Sequence, residues 1–132
     1  MNVMVGVILA AVGLLHTLPV LGSLGVAYLH KLYGIDIDDP QIELLLRHRA
    51  VLFGVLGVTL MMLSIEAKYH TVGLLIGFVS TVSFVALSVV QQSVTSSISP
   101  QISRVITIDI ICSVVLFTLL SWTLWVKFRE IV

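Results

Sequence analysis

Residues 72–90 read VGLLIGFVSTVSFVALSVV, an unbroken apolar stretch without a single charged side chain. A helix needs about 20 mostly apolar residues to cross the hydrocarbon core of a bilayer, and this stretch is just long enough. Three stretches of the same kind flank it, at about residues 3–23, 42–64 and 105–126. The sequence therefore predicts four transmembrane helices, and the loops between them are short enough to make neighbouring helices antiparallel.

The composition leaves almost no residues for a water-soluble part. Of the 132 residues, 58% are hydrophobic and only 11% are charged, whereas soluble domains carry about 25% charged residues. The apolar stretches are continuous, which excludes a transmembrane β-barrel with its alternating strands. We therefore predict one domain, residues 1–132, that is all-α and forms an integral membrane four-helix antiparallel bundle.

Charge and cysteine content exclude several classes of function. Seven Lys and Arg residues balance seven Asp and Glu residues, so the chain lacks the basic surface that binds nucleic acid. The single cysteine, Cys112, excludes an internal disulfide and a cysteine-based metal cluster. The sequence contains no P-loop, Rossmann fingerprint, zinc motif or nucleophile elbow. We therefore predict a protein that is not an enzyme and that holds no cofactor.

The segments between the spans carry start and stop signals for helices. Residues 28–33 form an amphipathic segment whose aromatic and basic residues suit the membrane interface, and Gly34 ends it. Asp39 and Pro40 suit the N-cap and the first residue of the next helix. A polar loop at residues 91–103 precedes the fourth span. Because the first span lacks a basic segment before it, we expect a retained helix rather than a cleaved signal peptide.

The distribution of positive charge favours cytoplasmic termini. The side that holds both termini carries Lys68, Lys127 and Arg129. The opposite side carries Lys31, Arg47, Arg49 and Arg104. The side of the termini thus has three basic residues and the opposite side has four. If Arg47 and Arg49 belong to a helix rather than to a loop, the opposite side keeps only two. On the positive-inside rule, we expect the termini in the cytoplasm.

Small residues at helical spacing mark the faces along which helices can approach closely in lipid. The first span offers Gly6, Ala10, Gly13 and Thr17. The second offers Gly54 and Gly57, close to Ala50. The third offers Gly73, Gly77, Ser80 and Thr81. We expect these faces to form the helix contacts of the bundle.

Three titratable side chains on three different spans fall at nearly one depth. At 1.5 Å per residue, His16, His48 and Asp109 each lie roughly 7–10 Å below the face that carries the longer loops. Glu43 and Arg47 belong to the same neighbourhood. An ionisable residue inside a membrane indicates a functional site by default. We therefore predict a ligand-binding pocket formed by His16, Glu43, Arg47, His48 and Asp109.

Helical spacing gives opposite directions to the two arginines of the second span. One face of that helix carries Glu43, Arg47, Gly54 and Gly57. The other carries Arg49, Phe53, Leu56 and Leu60. We expect Arg47 to point into the bundle and to pair with Asp109 or Glu43, and Arg49 to extend to the lipid headgroups. Such a pair could also serve only to fix the helix register.

Several functions are compatible with these titratable side chains at one depth in the membrane. Arg47 suits bidentate contact with a carboxylate or phosphate, so a small anionic or lipid-like ligand is the primary interpretation. His16 and His48 could ligate a haem axially, and Asp109 could serve a small proton-coupled transporter. An accessory subunit of a larger membrane complex, or a homo-oligomer, would instead use the outer helix faces. These alternatives stay open on the sequence alone.

Four sequence elements carry a resemblance to a known group, namely Gly13–His16, Leu18–Gly22, Leu32–Ile35 and Leu46–Gly54. The last contains the segment Arg-His-Arg-Ala-Val-Leu-Phe-Gly. With these elements, most of the chain resembles a group of small four-span bacterial membrane proteins, and its layout is distantly similar to the DoxX-like group. Some members are named phosphopantetheine adenylyltransferase, but the His-x-Gly-His signature of that soluble enzyme is not found in this sequence. The resemblance implies a four-helix fold and the bacterial inner membrane.

Overall fold

The computed structural model describes residues 2–93 and 98–131, and nearly all of them are helical. Four helical segments are long and apolar enough to cross a membrane, and they are Asn2–Leu24, Pro40–Ile65, Ala67–Gln92 and Pro100–Arg129. Within the described ranges there is no strand. The prediction of an all-α fold with four spans is confirmed, and the protein is a multi-pass membrane protein. Residues 94–97 of the predicted polar loop lie outside the described residues.

The first span changes its helix type where a proline interrupts it. Helix α1 covers Asn2–Thr17, and a 3₁₀ segment continues it over Leu18–Leu24. Pro19 has no backbone N–H to donate, so the α-helical ladder cannot continue unchanged and the chain tightens into the 3₁₀ form. Gly25, with φ 133°, separates this segment from the short helix α2, Val26–Tyr33. Gly34 then ends α2 in the left-handed conformation at φ 64°, as predicted.

Three longer helices complete the fold. Helix α3 spans Pro40–Ile65, α4 spans His70–Gln92 after a 3₁₀ turn, and α5 spans Pro100–Ile131. The Asp39 carboxylate accepts a hydrogen bond from the backbone N–H of Gln41 at 2.8 Å, which confirms the predicted N-cap.

Helix α5 begins before the predicted start of the fourth span at residue 105. The Ser99 hydroxyl accepts a hydrogen bond from the backbone N–H of Ile102 at 3.2 Å, so it caps the first turn of α5. The same hydroxyl donates to the backbone carbonyl of Tyr33. This second bond ties the end of α2 to the start of α5.

The helices pack as two close pairs, α1 with α3 and α4 with α5, and α4 also contacts both members of the first pair. The first pair meets at backbone level. A methyl group on Gly57 would lie 2.5 Å from the carbonyl oxygen of Gly13 and 2.6 Å from the Thr17 side chain. The predicted close approach of these glycine faces is therefore confirmed.

The apolar core lies in the half of the bundle nearer the chain termini. Its fully or nearly fully buried members are Val5, Leu9, Val12, Leu60, Leu74, Leu116 and Leu119. They come from α1, α3, α4 and α5, so this cluster joins the two helix pairs. The opposite half, near the longer loops, contains the candidate site.

Candidate functional site

A cavity of about 190 Å³ lies in the loop-side half of the bundle, and all five helices contribute to its lining. It brings together His16 of α1, Arg49 of α3 and Asp109 of α5. Most of the other lining side chains are aliphatic or aromatic. His16 and Asp109, which the sequence places at one depth, therefore do share one cavity. The arginine that accompanies them is Arg49 and not Arg47.

His16 is held by hydrogen bonds from both of its ring nitrogens. It is 7% exposed, and its Nδ1 lies 2.9 Å from the backbone carbonyl oxygen of Val12. Because a carbonyl oxygen can only accept, Nδ1 carries the proton in this bond, and Nε2 makes the second hydrogen bond, with the Ser80 hydroxyl at 3.2 Å. His16 thus connects α1 to α4, and its ring also lies 5.8 Å from that of Phe53.

Arg49 projects between two aromatic rings at the edge of the cavity. Its Cζ atom lies 5.2 Å from the centre of the Phe53 ring and 5.4 Å from that of Phe84, both within the range of cation–π attraction. Among the residues that the structure describes, the guanidinium group has no hydrogen-bond or ion-pair partner within the protein. Its five N–H donors therefore remain available to a ligand.

Asp109 is the acidic group of the cavity. It is half-buried on α5 and interacts electrostatically with His16 and Arg49. The described residues offer it no direct hydrogen-bond donor and no ion pair within 4 Å. A carboxyl group and a guanidinium group thus face one cavity without bonding to each other. An anion that binds Arg49 would come close to the charge of Asp109.

The predicted orientation of the two arginines is wrong. Arg47 is exposed, donates from Nε to the backbone carbonyl of Ser23 at 2.9 Å, and pairs with Glu43 at 3.3 Å. Of its two predicted partners, Glu43 is therefore found and Asp109 is not. The glycine face of α3 packs against the first span, where Gly57 meets α1 and Gly54 meets the 3₁₀ segment, while the bundle interior lies around the helix on the side of Arg49 and Phe53. Arg47 and Glu43 consequently lie at the rim of the contact between α3 and the first span.

His48 also lies away from the cavity. It is exposed, its position on α3 is turned by roughly 100° from Arg49, and it is not among the residues that line the cavity. His16 and His48 therefore do not face a common space. A haem held by both histidines of one chain does not fit this arrangement, because His16 already uses both ring nitrogens within the protein.

A second, larger cavity begins on the other side of Arg49. It measures about 800 Å³, opens toward the loop side, and shares Arg49, Phe53 and Phe84 with the first. Most of its lining side chains are apolar, but unlike the first cavity it also carries a group of polar ones, namely Ser80, Ser83, Ser88, Gln91 and Ser99. Arg49 thus stands where an apolar cavity meets one that is partly polar. Sequence reasoning did not foresee this second cavity.

The sequence does contain a pattern that indicates the inward position of Arg49 and Phe53, which was not predicted. Arg49, Phe53 and Leu60 follow each other at i, i+4 and i+11, which places them in one row along α3. Lipid and protein interior are equally apolar, so the same row is compatible with either environment. The aromatic residue one turn after an arginine is the feature that favours the interior, because it can shield a buried guanidinium group.

The open guanidinium group of Arg49 is suited to binding an anion. The described residues contain no cluster of three or more His, Cys, Asp or Glu side chains that could hold a metal ion. The free donors of Arg49 are matched to carboxylate, sulfonate and phosphate groups. Comparison with known proteins adds no candidate ligand, because the chain matches no protein-family model, no curated protein and no solved structure.

Proposed function

We propose that this protein is a non-catalytic membrane protein whose loop-side pocket binds a small anionic or lipid-like ligand at Arg49. One observation carries the proposal. Arg49 borders both of the cavities described above and has no hydrogen-bonding partner among the described residues. A ligand anion would supply the partner that the protein itself does not.

The energetics of a charge inside a membrane support an anionic ligand. An unpaired arginine at the centre of a membrane helix costs about 2.5–3.5 kcal/mol on insertion scales. The protein could have lowered that cost with an ion pair to Asp109, yet the two groups do not meet. Arg49 is instead flanked by Phe53 and Phe84, which hold the guanidinium group in place while leaving its N–H edge open.

We further propose the bacterial inner membrane, with both termini in the cytoplasm. Arg47 and Arg49 both lie within α3, so the count of positive charges at the two membrane faces becomes three against two. Lys68, Lys127 and Arg129 then form the larger group, on the side of the termini. Arg129 also packs over Trp125 at 4.9 Å, as expected for a residue at the interface.

The proposal is tested by the binding of octanesulfonate, an anion that stays ionised at every pH used, to the full chain in phosphatidylcholine nanodiscs. Empty nanodiscs give the background of partitioning into lipid. We expect Arg49→Gln to weaken binding tenfold to a hundredfold, since a hydrogen bond to a charged group contributes about 1.5–3 kcal/mol.

Arg47→Gln is the matched control, because it removes the same group two residues away on the same helix. It should bind octanesulfonate like the unmodified protein. Equal weakening by both substitutions, or unchanged binding by Arg49→Gln, would refute the proposed site.

A further inference from the structure

The smaller cavity opens on the side of the bundle rather than toward its loops. Leu15, Leu18 and Ile108 line this cavity, yet they are 40%, 53% and 43% exposed. A side chain that lines a cavity and is also about half exposed lies at its mouth. The mouth therefore lies between the first span and α5, a side that neither close helix pair covers.

This mouth faces lipid chains and not water. Ile108 lies eight residues into α5, or about 12 Å below its first residue at 1.5 Å per residue. Leu32 and Tyr33 of α2 line the cavity toward the loops, and the bond from Ser99 to Tyr33 holds α2 against α5. The side route through the membrane is therefore the open one for an apolar group.

Polarity changes at Arg49. The cavity toward α1 and α5 is lined almost entirely by apolar side chains, whereas the cavity toward α4 adds serines and Gln91 to apolar side chains such as Leu87 and Ile102. At about 190 Å³, the apolar cavity is smaller than the roughly 300–1,000 Å³ of ordinary small-molecule pockets. Such a space suits part of one alkyl chain better than two chains side by side.

We propose that the ligand is a single-chain amphiphile with an anionic headgroup, which enters from the hydrocarbon layer between α1 and α5. Its headgroup binds Arg49 at the border of the larger, partly polar cavity, and its chain lies in the smaller, apolar cavity and leaves past Leu15 and Ile108. This inference rests on the proposed anion site at Arg49. It adds the chemical class of the ligand, its orientation and its route of entry.

The test uses a fatty acid that carries a photoactivatable diazirine in mid-chain and, as a control, the fatty alcohol with the same chain. Each is added at pH 8 to the full chain in phosphatidylcholine nanodiscs, irradiated, and the labelled residues are mapped by mass spectrometry. We expect the acid to label Leu15, Leu18 or Ile108 at least fivefold more than the alcohol does. This excess should disappear in Arg49→Gln and persist in Arg47→Gln.

A second variant separates the chain route from the anion site. Leu15→Trp places a larger side chain at the exposed mouth, where it can be accommodated without disturbing the core. It should reduce labelling by the fatty acid and weaken octanesulfonate binding several-fold. Methanesulfonate, which has no chain to place, should bind this variant and the unmodified protein equally.

The outcomes distinguish the two proposals. Arg49-dependent labelling of Ser83 and Leu87 would show that the chain lies in the larger cavity, which overturns the route while leaving the anion site intact. Equal labelling of outer positions such as Leu52 by acid and alcohol would overturn the amphiphile proposal if methanesulfonate still binds through Arg49. The same labelling without methanesulfonate binding would overturn both.

Discussion

The two halves of this bundle differ in what lies between the helices. Toward the termini, leucine side chains fill the interior and the α1–α3 pair meets at backbone level around Gly13 and Gly57. Toward the loops, two cavities of about 190 and 800 Å³ adjoin Arg49. Lipid supplies no hydrophobic drive for helix association, so close packing must hold the helices together. The closed half can therefore fix the helices while the open half keeps room for a ligand.

The largest expected effect lies in the closed half. Gly57→Ala would place a methyl group 2.5 Å from the carbonyl oxygen of Gly13, and backbone atoms on both helices cannot move aside cheaply. We expect a loss of about 3 kcal/mol of stability, at the upper end of the range for overpacking. Reversible unfolding in mixed detergent micelles measures it.

Gly54→Ala is the matched control for this substitution. Its methyl group would meet only the Val20 side chain, at 2.8 Å, and a side chain at an exposed position can rotate away. The loss should stay below about 1 kcal/mol. Equal stability of the two alanine variants would contradict the claim that the α1–α3 contact at Gly57 is too closely packed to accept a methyl group.

A smaller effect, of opposite sign, is expected in the open half. Asp109→Asn removes a negative charge from the cavity that Arg49 borders, so an anion should bind more tightly. We expect about a tenfold gain in octanesulfonate affinity at pH 8, or about 1.4 kcal/mol. Glu43→Gln removes the same charge outside the cavity and should leave the affinity unchanged. Weaker binding by Asp109→Asn would show that the carboxylate supports the ligand instead of repelling it.

The sequence was sufficient for the features that depend on local chemistry. Apolar length located the four spans, Asp39 with Pro40 marked the start of α3, and Gly34 marked the end of α2. The glycine spacing also identified the close contact between the first two spans. Each of these features is decided by neighbouring residues or by one pair of helices, which a single sequence records.

The site depends on the arrangement of all the helices, and there the sequence was insufficient. Arg47 and Arg49 are only two residues apart. Because Arg47 shares a face of α3 with Gly54 and Gly57, that face was predicted to point into the bundle. The glycine face packs against the first span, whereas the row that contains Arg49 and Phe53 faces the interior of the bundle. Hydropathy cannot separate these cases, because lipid and core are equally apolar. His48 was misplaced for the same reason, since depth along a helix does not determine direction around it.

The most direct test of the Arg49 site is an X-ray structure of the full chain with 10-bromodecanesulfonate, located by the anomalous signal of bromine. We predict sulfonate oxygens at hydrogen-bond distance, about 2.7–3.2 Å, from the Arg49 guanidinium group. The bromine should lie toward the mouth between α1 and α5, near Leu15 and Ile108. A sulfonate bound at Arg47, or a bromine spread over the outer faces of the helices with none beside Arg49, would contradict this prediction.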